Sequence, residues 1–205
     1  MFITFEGGEG CGKSTHSKLL KKYLERKGHR VILTLEPGGT DIGGKIRSML
    51  LKGKKLVSRY SELFLFAADR AEHVARIIRP ALIASKIVIS DRYVDSTTAY
   101  QEGGRRLPKD LIDLINKVSS ESLVPDITFL LDVRPGIGIR RGTRHTGKDK
   151  FESENRGFHD RVRKAYLRLA KREKTRIKLI STDDAVEKVQ SMIREIVDEK
   201  LADKG

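Results

Sequence analysis

Residues 7–15 read GGEGCGKST and follow directly on the apolar run FITF at 2–5. Four glycines in six residues, then a lysine and two hydroxyls, can neither continue a strand nor fill a core. Glycine lacks the Cβ that closes off left-handed backbone, so successive N–H groups can turn inward around an anion. The spacing is G-x-x-x-x-G-K-[ST], on Gly7, Gly12, Lys13 and Ser14, with a strand-like run before it and a helical pattern after it. This combination points to a nucleoside triphosphate. Gly7, Gly8, Glu9, Gly10, Cys11 and Gly12 form the cradle, and the helix beginning near Lys13 turns its positive dipole end toward it. Lys13 is placed to reach the β- and γ-phosphates, Ser14 to hold Mg²⁺ bridging them, and Thr15 to meet the α-phosphate. Cys11 reads as a small residue at a variable loop position; a thiol beside a helix N-terminus can also have a lowered pKa, which would make it open to alkylation.

A strand–loop–helix opening of this kind constrains the rest of the chain. Four more short runs are apolar or β-branched with little alternation: RVILTL (30–35), KIVIS (86–90), DITFLLDV (126–133) and RIKLIS (176–181). Strands covered on both faces look like this. Amphipathic, helix-length segments lie between them at 14–27, 42–51, 58–85, 109–122, 155–172 and 185–200. Gly28 is a plausible C-cap, and Pro108 stands where a helix begins. Alternation of strand and helix predicts an α/β fold of the P-loop NTPase type, a five-stranded parallel sheet flanked by helices, spanning 1–205 as one domain. Ligands of such folds collect at the carboxyl ends of the strands. The chemically unusual residues fall there: Glu6–Thr15, Glu36–Thr40, Asp91–Tyr93, and the basic stretch from Arg134 onward.

Composition narrows the setting. The 205 residues are 38% hydrophobic, enough for one sizeable core, with no repeat or long low-complexity tract. No apolar stretch approaches the roughly 20 residues that span a bilayer, and the start carries neither a basic leader nor a cleavage site, so no membrane partner is expected. One cysteine cannot form an internal disulfide, which points to a reducing cytoplasm. The net charge of +14 suits anionic partners. It comes without an RNA-binding or zinc-finger signature, and nucleic acid is not expected as a partner.

A motor, a GTPase and a small-molecule kinase all share this loop; what faces the γ-phosphate separates them. EPGGT (36–40), FAADR (66–70) and DRYVDSTTAYQ (91–101) look built to hold a second substrate. With the P-loop, EPGGT and DRY-x-x-S-x-x-A-Y-Q at these spacings, the chain resembles the thymidylate kinase (dTMP kinase) family from Met1 through FHDRVRKAYLRLA at 158–170. The resemblance implies ATP + dTMP → ADP + dTDP, in dTTP biosynthesis, with Mg²⁺ and, as a rule, a homodimer packed through long helices to which 58–85 would contribute. It implies that Arg92 and Arg47 grip the dTMP phosphate and that Phe66 stacks on thymine. Arg70 would donate to the carbonyl at position 4, and Thr97 and Gln101 would lie along the base edge. Tyr100 would crowd the place of a ribose 2′-hydroxyl. Glu9 would sit near the acceptor's 3′-hydroxyl and the metal, Asp91 would organise Mg²⁺, and Glu36 would position the acceptor and its arginines. On the residues alone, Phe66 reads as core and Arg70 as a surface arginine or a partner of Asp69 or Glu72.

One family type carries an arginine inside the P-loop; here that position is Gly10. The other type supplies it from a mobile lid, which the resemblance places here at about 138–152, and RRGTRHTGKDK (140–150) fits, with Arg141 and Arg144 ranked together ahead of Arg140. KDKFES departs from the family's lid, placing Lys150 where an arginine is usual. The adenine is expected between the helix after the lid and the STDDA loop (181–185). The rivals are a kinase for another nucleotide and a nucleic-acid-stimulated ATPase. The latter needs a second acidic residue beside Asp91, where Arg92 stands instead.

Overall fold

The computed structural model describes residues 1–52, 58–134, 136–138, 151 and 153–203. The expected lid arginines Arg140, Arg141 and Arg144, and Lys150, lie outside the described residues.

Five parallel strands form one sheet in the order β2-β3-β1-β4-β5: β1 (Phe2–Glu6), β2 (Val31–Leu35), β3 (Ile87–Asp91), β4 (Ile127–Asp132) and β5 (Ile177–Ser181). β1 is buried along its whole length, as an unalternating apolar run requires. The register sets Phe5 beside Asp91, Leu35 beside Asp91, and Glu6 beside Leu130. The strand ends that carry Glu6, Asp91 and Glu36 are therefore aligned along one edge.

On one face, α1 (Lys13–Arg26) and α8 (Val186–Ala202) press Leu20, Leu24, Val189, Ile193 and Val197 onto Ile3, Phe5 and Phe129. On the other, α7 (Arg156–Arg172) packs Phe158, Val162, Ala165 and Tyr166 against Ala99 and Tyr100. Asn155 caps α7 by accepting from the N–H of Phe158 at 2.9 Å. Burying an aromatic or aliphatic side chain of this size stabilises by about 1.5–3 kcal/mol.

α2 (Asp41–Lys52) and α6 (Lys109–Ser119) fall within two or three residues of the expected bounds. Two features differ from the sequence expectation. The segment expected as one helix at 58–85 is continuous but not uniform: α3 (Arg59–His73) passes through a π-helical turn at Val74–Ile78 into α4 (Arg79–Ile83). Pro80 explains the widening, because its ring would strike the carbonyl of Arg76 in a regular helix. The N–H of Arg79 reaches back to Val74 instead.

The second difference is that residues 94–104, which carry much of the DRY motif, are helical: α5 (Val94–Thr97) runs into a π-turn at Thr98–Gly104. Glycines end it because α7 lies too close for a side chain; a Cβ on Gly104 would sit 2.5 Å from the Phe158 ring.

Candidate active site

The loop after β1 turns on Gly7, whose φ of +139° suits glycine alone. A Cβ there would lie 2.3 Å from the carbonyl oxygen of Leu131. Lys13, at the first turn of α1, is buried, and its Nζ donates to the carbonyls of Gly7 at 3.1 Å and Gly8 at 2.8 Å. Gly12, in the left-handed region, precedes the helix and offers no side-chain cap. The first N–H groups of α1 thus point into the groove that Gly10, Cys11, Ser14 and Thr15 line with Thr182, Asp184 and Ala185 of the STDDA loop. Ser14 Oγ donates to Asp91 Oδ2 at 2.5 Å, bringing a hydroxyl and a carboxylate together at the groove floor.

Cys11 fits the reading of a small residue in the loop. Its side chain is buried, and burial pushes the thiol up, against the pull of Lys13 and Arg92. Dipole proximity alone does not make a thiolate when the sulfur faces the core.

Arg92 is the hub of the second half of the cleft. Its φ of +76° is left-handed, which costs a non-glycine residue about 1–2 kcal/mol. Nη2 donates to Glu9 Oε1 at 2.6 Å and to Tyr100 OH at 3.2 Å. Nη1 donates to the Gly7 carbonyl and to Ser96 Oγ, both at 3.2 Å. The guanidinium also lies 5.0 Å from the Tyr100 ring centroid. Tyr100 OH donates to the same Glu9 oxygen at 2.6 Å. Burial alone would raise the Glu9 carboxyl, but Arg92, Lys13 and the Tyr100 hydrogen bond hold it down at about 2.

Behind Arg92 stands Glu6, which the sequence reading placed at a strand end without a role. It accepts from Tyr93 N, Ser96 N, Ser96 Oγ and Tyr166 OH at 2.7, 3.3, 2.6 and 2.9 Å. Tyr166, on α7, was also missed. A carboxylate ending an otherwise apolar strand, and a tyrosine on the buried stripe of α7, were the available signals.

The pocket beside Arg92 has a volume of about 110 Å³ and is lined by Glu9, Glu36, Arg47, Phe66, Arg70, Thr97, Tyr100 and Gln101, with Phe151. Every residue expected along the acceptor is gathered there. Phe66 is half-buried against Phe151, ring centroids 5.9 Å apart; it lines the pocket and also packs against the core cluster of Tyr100, Phe158 and Val162. Arg70 is no surface arginine: it is 2% exposed. Nε donates to Glu36 Oε2 at 2.9 Å, Nη1 to Thr97 Oγ1 at 2.9 Å and Asn116 Oδ1 at 3.1 Å, and Nη2 to the Tyr93 carbonyl at 3.1 Å. Glu36 spends its other oxygen on His73 Nδ1 at 3.0 Å, whose Nε2 meets Thr34 Oγ1 at 2.6 Å. Arg47 is more exposed, with Nη1 on the Pro37 carbonyl at 2.8 Å.

Glu62, Asp69, Arg70 and His73 are all buried on α3. Their spacing of seven, one and three places them on one helical face, so a polar stripe was present where an apolar one is usual. Asp69 accepts from Gly38 N at 2.9 Å, while its Oδ2 has no partner among the described residues. Burial, then the nearby Glu36 charge, pushes its carboxyl up to about 6. A carboxyl with a raised folded-state pKa holds its proton better folded than unfolded. Its favourable contribution is therefore present below about pH 4 and is lost as pH rises through about 6. We expect wild-type stability to fall relative to Asp69→Asn over that window, by an amount on the order of 2–3 kcal/mol, in urea titrations at pH 4 and pH 7. Parallel curves for the two proteins would contradict this.

Comparison with known proteins gives one family. The thymidylate kinase family model matches residues 5–193. The chain is 44% identical over 200 residues to thymidylate kinase of Gloeobacter violaceus, covering 97% of this chain and 94% of that protein. It is 44% identical over 208 residues to that of Oleidesulfovibrio alaskensis, covering 96% and 98%. A crystal structure of thymidylate kinase from Ehrlichia chaffeensis superposes with a TM-score of 0.81 at 37% identity, over 97% of this chain and 98% of that one.

Proposed function

The chain belongs to the thymidylate kinase family, and from that premise we propose how its cleft performs the family's reaction. The activity is ATP-dependent phosphorylation of dTMP to dTDP, a step toward dTTP. Residues 1–205 act as one kinase domain. ATP lies in the groove of Gly7–Thr15, with its adenine toward Thr182–Ala185. dTMP lies in the pocket of Phe66, Arg70 and Gln101, its phosphate at Arg92 and Arg47. The observation that carries this assignment is Arg92, which bonds both to Gly7 of the triphosphate loop and to Tyr100 of the nucleoside pocket.

The nucleophile is a phosphate oxygen of dTMP, anionic at neutral pH, so no general base is required. The chain's task is to align two anions and to offset charge as the γ-phosphoryl moves. Lys13 stands on the donor side and Arg92 on the acceptor side. Glu9 and Tyr100 fix the plane of the Arg92 guanidinium. Glu36 serves the acceptor through Arg70, since both its oxygens are engaged.

Mg²⁺ fits the donor set. Ser14, Asp91 and Glu9 offer oxygen ligands only, and no group of three or more His, Cys, Asp or Glu able to cage a metal occurs among the described residues. Mg²⁺ accepts such a site because it keeps waters and phosphate oxygens as ligands. When bound it offsets charge on the β- and γ-phosphates.

Arg141 and Arg144 remain the lid candidates for contacting those phosphates. We place the enzyme in the cytoplasm, in keeping with a single cysteine; among the described residues no helix is long and apolar enough to cross a membrane. A homodimer through α3 is in keeping with its exposed Tyr60 and Phe64.

The test is ADP release across nucleoside monophosphates. dTMP is expected to lead dUMP clearly, and the ribose form of TMP to be poor, because Tyr100 stands beside the sugar position. Equal turnover of UMP and dTMP would remove the role given to Tyr100.

A further inference from the structure

Glu62 lies near the start of α3, outside the residues assigned above, and is 1% exposed. Arg105 grips both its oxygens, Nε to Oε1 at 2.9 Å and Nη2 to Oε2 at 3.1 Å. Arg105 is itself anchored by Glu154 and by the Phe158 ring, 4.7 Å from its guanidinium carbon. Glu62 Oε1 also accepts from Nε2 of Gln101, at 3.2 Å.

The two ends of a glutamine amide are alike in shape and opposite in hydrogen-bonding sense. A carboxylate held by a guanidinium only accepts. It therefore turns the NH₂ of Gln101 toward itself and leaves the amide oxygen for the pocket, where nothing among the described residues donates to it. Arg70 shows the complementary economy. Of its five N–H groups, one on Nε, two on Nη1 and one on Nη2 are engaged, so one Nη2–H is left.

We propose that Glu62 is a specificity-determining positioning residue. By fixing the sense of the Gln101 amide, it makes the pocket present one acceptor alongside the Arg70 donor. That pair complements an imide edge, a ring N–H beside a carbonyl, as in thymine and uracil. It opposes the cytosine edge, where the ring nitrogen accepts and the exocyclic amine donates. The proposal rests on reading this pocket as the dTMP site. It adds what sets the amide and which base is refused.

Steady-state kinetics of the full chain with dTMP, dUMP and dCMP test it. A carboxamide at position 62 both donates and accepts, so Glu62→Gln no longer dictates the sense of Gln101. The dTMP-to-dCMP ratio of kcat/KM is expected to fall about tenfold or more, through KM for the monophosphate, with KM for ATP near wild type. The dTMP-to-dUMP ratio should hold, since both bases share the imide edge. Glu62→Asp, still acceptor-only, should keep more of the dCMP discrimination than Glu62→Gln.

A folded Glu62→Gln enzyme with the wild-type ratio overturns the proposal. So does an equal loss for dTMP and dCMP, which marks a scaffolding role alone. If Glu62→Gln does not fold, Arg105→Gln serves: it removes the two-pronged grip that sets the Glu62 oxygens beside Gln101, and an unchanged dTMP-to-dCMP ratio again overturns the proposal. A wild type with no preference for dTMP overturns the function itself, and the proposal with it, and is distinguished by being visible before any substitution.

Discussion

Replacing Arg92 by alanine is expected to lower kcat/KM for dTMP about a thousandfold, with KM for ATP near its wild-type value. A factor of that size is about 4 kcal/mol of transition-state binding, in the range for removing a preorganised cation from phosphoryl transfer. The guanidinium is already oriented before any substrate arrives: Glu9 and Tyr100 hold one nitrogen, Gly7 and Ser96 the other. Lysine should recover little, because a single ammonium cannot make these divergent contacts.

The backbone supplies a control. Position 92 is left-handed, so Arg92→Ala keeps the strain while Arg92→Gly relieves it. The glycine variant should melt no lower than the alanine variant and be equally inactive. An Arg92→Gly enzyme retaining more than about a tenth of wild-type kcat/KM would show that the guanidinium is not the acceptor's grip.

Lys13→Ala is expected to lower kcat by about 10²–10³ while dTMP binding, measured by calorimetry, stays within about twofold. The asymmetry follows from position. Lys13 lines the triphosphate groove and not the nucleoside pocket. Its ammonium sits against the Gly7 and Gly8 carbonyls, at the mouth of the loop where charge builds as the γ-phosphoryl leaves. A variant with full kcat and a raised KM for ATP alone would assign Lys13 to ground-state binding.

Much of this enzyme was legible in the chain. GGEGCGKST needs no tertiary information to be recognised, because a backbone that wraps an anion demands glycine at fixed places. The five strands were legible because strands buried on both faces leave unbroken apolar runs. The residues proposed for the acceptor, Phe66, Arg70 and Gln101, came through resemblance; on residue chemistry alone Phe66 read as core and Arg70 as surface. Arg70 is buried instead, while Phe66 packs on the core and lines the pocket at once: amphipathicity reports that a face is covered, not whether protein or ligand covers it.

Other features were not legible. The helix at 94–104 is poor in helix formers and ends in two glycines; it forms because α7 packs on it. The thiol of Cys11 depends on which way its side chain points, which the loop's covering by Lys13 and the core decides. Glu6, Tyr166, His73 and Glu62 reach the cleft only through partners far away in sequence, 160 residues apart for Glu6 and Tyr166.

Consecutive residues were enough to set the glycine-rich loop proposed for the triphosphate, the parallel sheet and the strand edge that carries Glu6, Glu36 and Asp91. These rest on local backbone freedom and on hydrophobic periodicity, and both can be read along a short stretch of chain. Which polar side chains are already spent on one another, and which are left for a ligand, was settled only by folding. A hydrogen-bond donor's availability is set by every neighbour within about 3 Å, and those neighbours come from strands and helices that the chain brings together only when folded.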